Sequence, residues 1–311
     1  MSARAGGLAT LVALIWGLCF VLIQASLPSP APLLLAGLRA VIGGAVLAAW
    51  VVLSRSSALV TGSRAASLGP RSLRSGLPST RLLILLALAN ATVAFGAMYL
   101  AAGRAEAAVA SIVAGGQPLV LAAAGWAFFG ERTSARTAAG LAFAMAGVAL
   151  VATMSSGPTS ADGVALALVA TAAPAAGTVL MRRLGSSVDL VTTTCVQFLL
   201  GGAVLLGLSA LIEPWGGLTW SAGALLGLLV LGVLGTGVAY AAWFWLLGRT
   251  TLVRLGMALF LVPVVGMVAG ILTGDRPTPV ELAGIVAVLV GIGLVSLRGS
   301  STRALEAARP G

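Results

Sequence analysis

Apolar runs separated by short polar connections occupy most of this chain. Ten runs are distinguishable, at approximately 7–26, 32–53, 82–102, 107–129, 135–154, 163–181, 190–212, 222–247, 250–272 and 280–297. Each is close to the ~20 apolar residues that carry a helix across a ~30 Å hydrocarbon layer. In lipid the backbone must satisfy its own hydrogen bonds, so such runs are read as helices. A membrane barrel would show alternating segments of about ten residues, and the pattern here is not of that kind. The prediction is an all-α integral membrane protein with ten transmembrane helices. One internal connection is long, Ser54 to Arg81. It is rich in Ser, Gly and Arg, has little to bury, and is expected to be mobile. The short connections elsewhere make consecutive helices antiparallel neighbours.

The pattern also repeats. Gly103-Arg104, Pro118, Gly130-Glu131-Arg132, Gly140 and Gly147 are followed by Gly248-Arg249, Pro263, Gly274-Asp275-Arg276, Gly284 and Gly291. The offset is 145 up to the proline and 144 from the acidic turn onward. Earlier in each half it is 158, which sets Arg39 against Gln197, Trp16 against Pro174 and Gln24 against Arg182. A proline inside an apolar run followed by Gly-acid-Arg is hard to repeat by chance, so the chain is read as two five-helix repeats. The expected division is a tail 1–6, a first repeat 7–154, a second repeat 163–298 and a tail 299–311. Five is odd, so the second repeat enters the membrane from the opposite side. Inverted halves of this kind are common in secondary transporters, with the substrate site near the midplane between them.

Composition changes the picture in two ways. The chain is 59% hydrophobic and 8% charged, against roughly 25% charged in soluble proteins. Its basic residues are all Arg, with neither Lys nor His. With both termini in the cytoplasm, fifteen of the eighteen Arg fall on the inside, Arg104 and Arg276 fall outside, and Arg39 lies within a helix. This bias predicts orientation and a place in the cytoplasmic membrane. Anionic lipid headgroups account for the basic loop better than nucleic acid does. The first run resembles a signal peptide in outline, but its residues belong to the repeat and it is read as a retained helix. Cys19 and Cys195 lie in apolar runs without metal or disulfide spacing and read as small buried hydrophobes. No cofactor or metal site is expected.

Trp16-Gly17 with Phe20, Arg39, Pro118 followed by Gly130-Glu131-Arg132, and the Gly140/Gly147 helix together resemble the EamA-type transporters of the drug/metabolite transporter superfamily. The resemblance covers about 8 to 298. It implies ten helices, cytoplasmic termini, and export or exchange of amino acids or related small metabolites. Two departures are Pro174 in the sixth helix, where an aromatic residue is common, and Asp275 in place of Glu.

Polar groups inside the runs are the candidate substrate contacts. Arg39 is a charge buried in a span, costly unless paired or hydrated; it is either a carboxylate anchor facing a cavity or a packing anchor on neighbouring carbonyls. Gln197 is its repeat partner. Gln117 precedes Pro118, and a proline frees the carbonyl four residues earlier and bends the helix. Pro118 and Pro263 are therefore read as kinks at matching gates. Asn90 is a mid-membrane amide, either a ligand contact or a bond between helices. Trp16, Phe95 and Phe260 sit near mid-depth, and Tyr99 and Tyr240 are placed to close the cavity toward opposite sides. Trp50, Trp126, Trp215, Trp220 and Trp245 read as belt residues at helix ends. The glycine pairs 140/147 and 284/291 read as close helix packing, and each Gly-acid-Arg turn as a helix stop with the acid favouring the next N-terminus.

With no His, no Cys cluster and no acid placed well inside a helix, an enzyme is not expected. The same scarcity disfavours proton coupling and points to a facilitator or exchanger. The predicted function is secondary transport of a small polar or amphipathic metabolite. A lipid or lipid-precursor flippase, and a scaffold or sensor without flux, stand as alternatives. Expected partners are a small-molecule substrate and the bilayer, with no nucleic acid. Small-residue helix faces suit both internal packing and a homodimer.

Overall fold

The computed structural model describes residues 3–25, 31–61, 76–102, 104, 116–131, 134–152, 160–216, 218, 220–272 and 278–296. Its helices are α1 (Ala3–Ala25), α2 (Pro32–Thr61), α3 (Thr80–Ala102), α4 (Gln117–Phe129), α5 (Ala135–Ala152), α6 (Ala161–Leu184), α7 (Leu190–Ile212), α8 (Ala222–Leu247), α9 and α10 (Pro279–Ser296). The ninth is composite: Leu252–Met257, a 3-10 turn Ala258–Phe260, then Leu261–Leu272. Among the described residues no strand occurs beyond one isolated bridge between Gly76 and Val188. Among the described residues five helices are long and apolar enough to cross a membrane: α3, α6, α7, α8 and Pro32–Ser54 of α2. Five shorter apolar helical stretches accompany them.

Local chemistry sets the helix ends. Ser160, Asp189, Ser221 and Thr251 each accept a hydrogen bond from a backbone N–H in the first turn that follows, as good N-caps do. Gly130 ends α4 in the left-handed region at φ 62°, a conformation glycine adopts without penalty. Two expected boundaries shift. α1 begins at Ala3, inside the expected tail 1–6. α2 continues through Thr61, because nothing between Ser54 and Thr61 breaks a helix and each added residue gains a bond. Residues 62–75 of the long connection, the Gly274-Asp275-Arg276 turn, the first part of the fourth run and the tail 299–311 lie outside the described residues.

Helices pair across the two halves of the chain. α2 packs on α7, α5 on α10, α3 on α6, and α1 on α8 and on Leu261–Leu272 of α9; α4 packs on Leu252–Met257 of α9. Several of these contacts are reciprocal at the sequence offsets. A Cβ at Gly147 would lie 2.4 Å from the Gly284 carbonyl, and one at Gly291 would lie 2.5 Å from the Gly140 carbonyl. A Cβ at Gly201 would meet Ala87 and Ala91 of α3; one at Gly43 would meet Gly232 and Thr236 of α8. Gly202 faces Val41 while Gly44 faces Leu199.

The same offset appears in helix pitch. α3 widens to a π-helix over Leu88–Val93 and α8 over Val233–Val238, positions 145 apart. A π-turn lengthens the hydrogen-bonding step and leaves carbonyls open to other donors. Trp16 takes one such carbonyl, that of Gly235.

Candidate functional site

Where α1, α2, α3, α7 and α8 meet, the chain buries an aromatic cluster. Trp16 lies 5.2 Å from Tyr240 and 5.1 Å from Trp243 between ring centroids. Phe198 meets Tyr240 edge-on at 4.7 Å and stacks on Phe95 at 5.5 Å, and Phe244 closes the group against Tyr240 at 6.0 Å. Rings in this range and at these tilts gain from their quadrupoles beyond simple burial. The π-turn of α8 anchors two of the polar members. Trp16 Nε1 donates to the Gly235 carbonyl at 3.0 Å. Arg39 Nε donates to Thr236 Oγ1 at 3.0 Å, and that hydroxyl donates to the Leu231 carbonyl at 3.1 Å.

Arg39 is only 3% exposed. Its guanidinium sits 4.5 Å over the Phe95 ring, a cation–π contact that offsets part of its desolvation. Tyr99 stands beside it, within reach of its charge. On the π-turn of α3, Asn90 Nδ2 donates to Gln197 Oε1 at 3.1 Å. Gly177 makes room for that amide: a Cβ there would lie 2.1 Å from Asn90 Oδ1. Arg39 and Gln197, matched in the sequence, thus each face the π-turn of the opposite half.

Four of these side chains keep a free polar atom. Arg39 Nη1, Asn90 Oδ1, Tyr99 Oη and Gln197 Nε2 are buried and have no hydrogen-bond partner among the described residues. Thr193 Oγ1 and Trp245 Nε1 share that condition elsewhere. Buried polar atoms are normally paired, because an unmet one costs about 1–3 kcal/mol. Arg39 and Tyr99 stand at the aromatic group and offer it two donors for a polar solute. The amide pair keeps one donor and one acceptor free whichever way its two amides are assigned.

Sequence reading singled out Trp16, Arg39, Asn90, Phe95, Tyr99, Gln197 and Tyr240; the structure places Trp16, Arg39, Phe95, Tyr99 and Tyr240 in or beside the aromatic cluster, and Asn90 and Gln197 as a pair of their own at the π-turn of α3. Phe260 goes elsewhere. It is buried among Leu141, Ala144, Val148, Met257 and Val288, between α5, α9 and α10. Gln117 begins α4 and is partly buried there; Pro118 occupies the first turn, where a missing N–H costs nothing, and its Cα lies 3.2 Å from a Cβ placed on Gly256. The bend expected at Pro118 falls on residues outside those described. Pro263 follows the 3-10 turn Ala258–Phe260, which contains the Leu259 carbonyl that a proline four residues on cannot donate to. Trp50, Trp126, Trp215 and Trp220 are exposed as belt residues should be, but Trp245 packs against the core with the Arg249 guanidinium 3.9 Å over its ring. Sequence reading missed Phe198, Trp243, Phe244, Thr178 and Thr236. Trp243 and Phe244 follow Tyr240 by three and four residues, which places them on one helix face, and Trp243 Nε1 donates to Thr178 Oγ1 at 3.3 Å.

A second polar network ties three connections together. Glu131 was expected to favour the helix directly after it. Instead both its carboxylate oxygens accept from the N-terminus of α9, Leu252 N at 3.0 Å and Val253 N at 3.3 Å. It also pairs with Arg182 at 3.6 Å, and Arg182 donates to the carbonyls of Leu247 and Thr250. Far along the chain Glu213 does the same for α2, accepting from Leu33 N at 2.7 Å and Leu34 N at 3.0 Å. A carboxylate at a helix N-terminus meets both unpaired N–H groups and the positive end of the dipole. Arg104 joins Asp162 at 3.6 Å and Ser160 through its carbonyl.

The sequence model described as the EamA-like transporter family matches this chain over residues 4–153 and again over 161–297. The chain belongs to the EamA-like transporter family. With its apolar helices, this makes it a multi-pass membrane protein of transporter kind. This EamA chain is 27% identical over 304 residues to the uncharacterized transporter YvbV of Bacillus subtilis, covering 97% of this chain and 94% of that one. It is 29% identical over 305 residues to a protein of Salmonella typhimurium described as a probable amino-acid metabolite efflux pump, covering 94% of each. A protein of known crystal structure superposes with a TM-score of 0.76 at 20% identity, over 98% of this chain and 100% of that one, a likeness of fold.

Proposed function

We propose that this protein is a secondary transporter of the cell membrane that exports or exchanges amino acids or related small metabolites by alternating access. The observation that carries the reading is the buried group of unpaired polar atoms beside an aromatic cluster, at the place where helices of both halves cross. A stable scaffold has no use for unmet hydrogen-bonding atoms in its interior. The substrate class is supported by the relative described as an amino-acid metabolite efflux pump.

We further read the chain as ten spans in two inverted five-helix repeats with cytoplasmic termini. The double family match, the paired π-turns and the reciprocal glycine contacts support the repeat. The meeting of Glu131, Arg182, Leu247 and Thr250 supports the sidedness inferred from Arg placement, since those connections share one side in that scheme.

The test is efflux from vesicles loaded with a mixed pool of labelled amino acids. Wild type is expected to release a subset. Arg39→Ala removes a charge-assisted contact, each worth about 1.5–3 kcal/mol, and is expected to slow release about tenfold or more. Gln117→Ala, placed apart from the central group, is expected to change the rate little. Absence of any flux from a folded preparation overturns amino-acid transport.

A further inference from the structure

Among the described residues no acid is seen to balance the charge of the central site. Arg39 contributes a buried cation, and its partners Thr236 and Phe95 are neutral. Every acid among the described residues stands at a helix end or in a connection: Glu131, Asp162, Asp189, Glu213 and Glu281. Glu131, Asp189 and Glu213 are engaged there by backbone N–H groups, and Asp162 pairs with Arg104. None of these four reaches the aromatic cluster. A zwitterion entering the site would satisfy Arg39 with its carboxylate but leave its own ammonium without an anion. The ring against Arg39, Phe95, already carries the guanidinium on its face, so an ammonium there would add a second cation. A ligand of net charge −1 cancels the Arg39 charge and leaves the loaded site neutral in a medium where uncompensated charge is expensive. Arg39 Nη1 and Tyr99 Oη supply two free donors for the carboxylate, and the rings of Phe95, Phe198 and Tyr240 supply an apolar wall.

Building on the transporter reading above, we propose that the site takes a monoanionic carboxylate on an apolar body, such as an N-acylated or deaminated amino acid, in preference to the zwitterion, and moves that charge across the membrane without a coupled ion. An inside-negative potential then drives the ligand outward unaided, by about fifty-fold in concentration per 100 mV. No proton-carrying side chain is required.

The test uses three probes with the same aromatic ring and different net charge: N-acetyl-L-phenylalanine, L-phenylalanine and 2-phenylethylamine. Binding to the purified full chain is read by calorimetry. The expected order is anion, zwitterion, cation, with about tenfold between the first two. Arg39→Gln is expected to erase the order and Arg39→Lys, which keeps the charge, to preserve it. The wild-type order alone decides the matter if the glutamine variant does not fold. In liposomes carrying a potassium diffusion potential of about 100 mV, the distribution of labelled N-acetyl-L-phenylalanine should shift by about fifty-fold. L-phenylalanine bound as tightly as the anion, or a distribution blind to voltage, overturns the inference while leaving transport intact. Movement of other solutes with no binding of any of the three probes overturns it as well. Failure to move any solute at all removes the transporter reading beneath it.

Discussion

Asn90 and Gly177 illustrate how single residues hold the central site. The amide of Asn90 occupies the space where a Cβ of residue 177 would stand, at 2.1–2.4 Å from its three terminal heavy atoms. Gly177→Ala must therefore push Asn90 off Gln197. The expected cost is about 1–3 kcal/mol of stability, read as a lower melting temperature in detergent, together with altered solute preference in flux. Gly207→Ala, where a Cβ meets nothing within 4 Å, serves as the neutral comparison. At this scale much of the site was legible, because Arg39, Asn90 and Gln197 are polar groups in apolar runs and lipid makes such groups costly unless they have a task. Trp243 and Phe244 were not legible for the opposite reason: in a run as apolar as Ala239–Leu247, an aromatic side chain looks the same whether it faces lipid, core or ligand.

Between helices, the decisive features are the two π-turns and the carboxylates that hold helix starts. The π-turns could not be read from sequence. Leu-Ala-Asn-Ala-Thr-Val and Val-Leu-Gly-Thr-Gly-Val share little, and hydrophobic pattern reports the length of a span but not a local change of pitch. Each owes its place to packing, with Gly201 accepting the turn of α3 and Gly43 that of α8. Glu131 was legible as a turn residue, while its true partner lay more than a hundred positions downstream, beyond the reach of any local rule. Glu131→Ala strips two N–H groups of α9 and Arg182 of their shared acceptor. The chain should lose about 1–3 kcal/mol of stability, measured by thermal unfolding, because hydrogen bonds to charged groups are worth about that much. Glu131→Gln should recover part of the loss, since the amide oxygen still accepts.

Taken as a whole, the molecule makes a topological commitment that labelling can check. Arg104 and Arg249 occupy equivalent places in the two halves, 145 positions apart, each just beyond a helix that contains a π-turn. The proposed inverted topology puts them on opposite membrane faces, Arg104 outside and Arg249 inside. In a chain with Cys19→Ser and Cys195→Ser, single cysteines at these positions should react with an impermeant thiol reagent from opposite sides; reaction of both from one side refutes inversion. Two halves of identical sequence would give the inward-open and outward-open forms equal energy, each being the other turned over. The polar centre breaks that degeneracy: Arg39 stands where the other half has Gln197, Asn90 where it has Gly235, and Cys19 where it has Gly177. On the inverted reading an empty carrier built this way has a resting side, so its two faces half-saturate at different ligand concentrations while the gradient alone sets the direction of net flux.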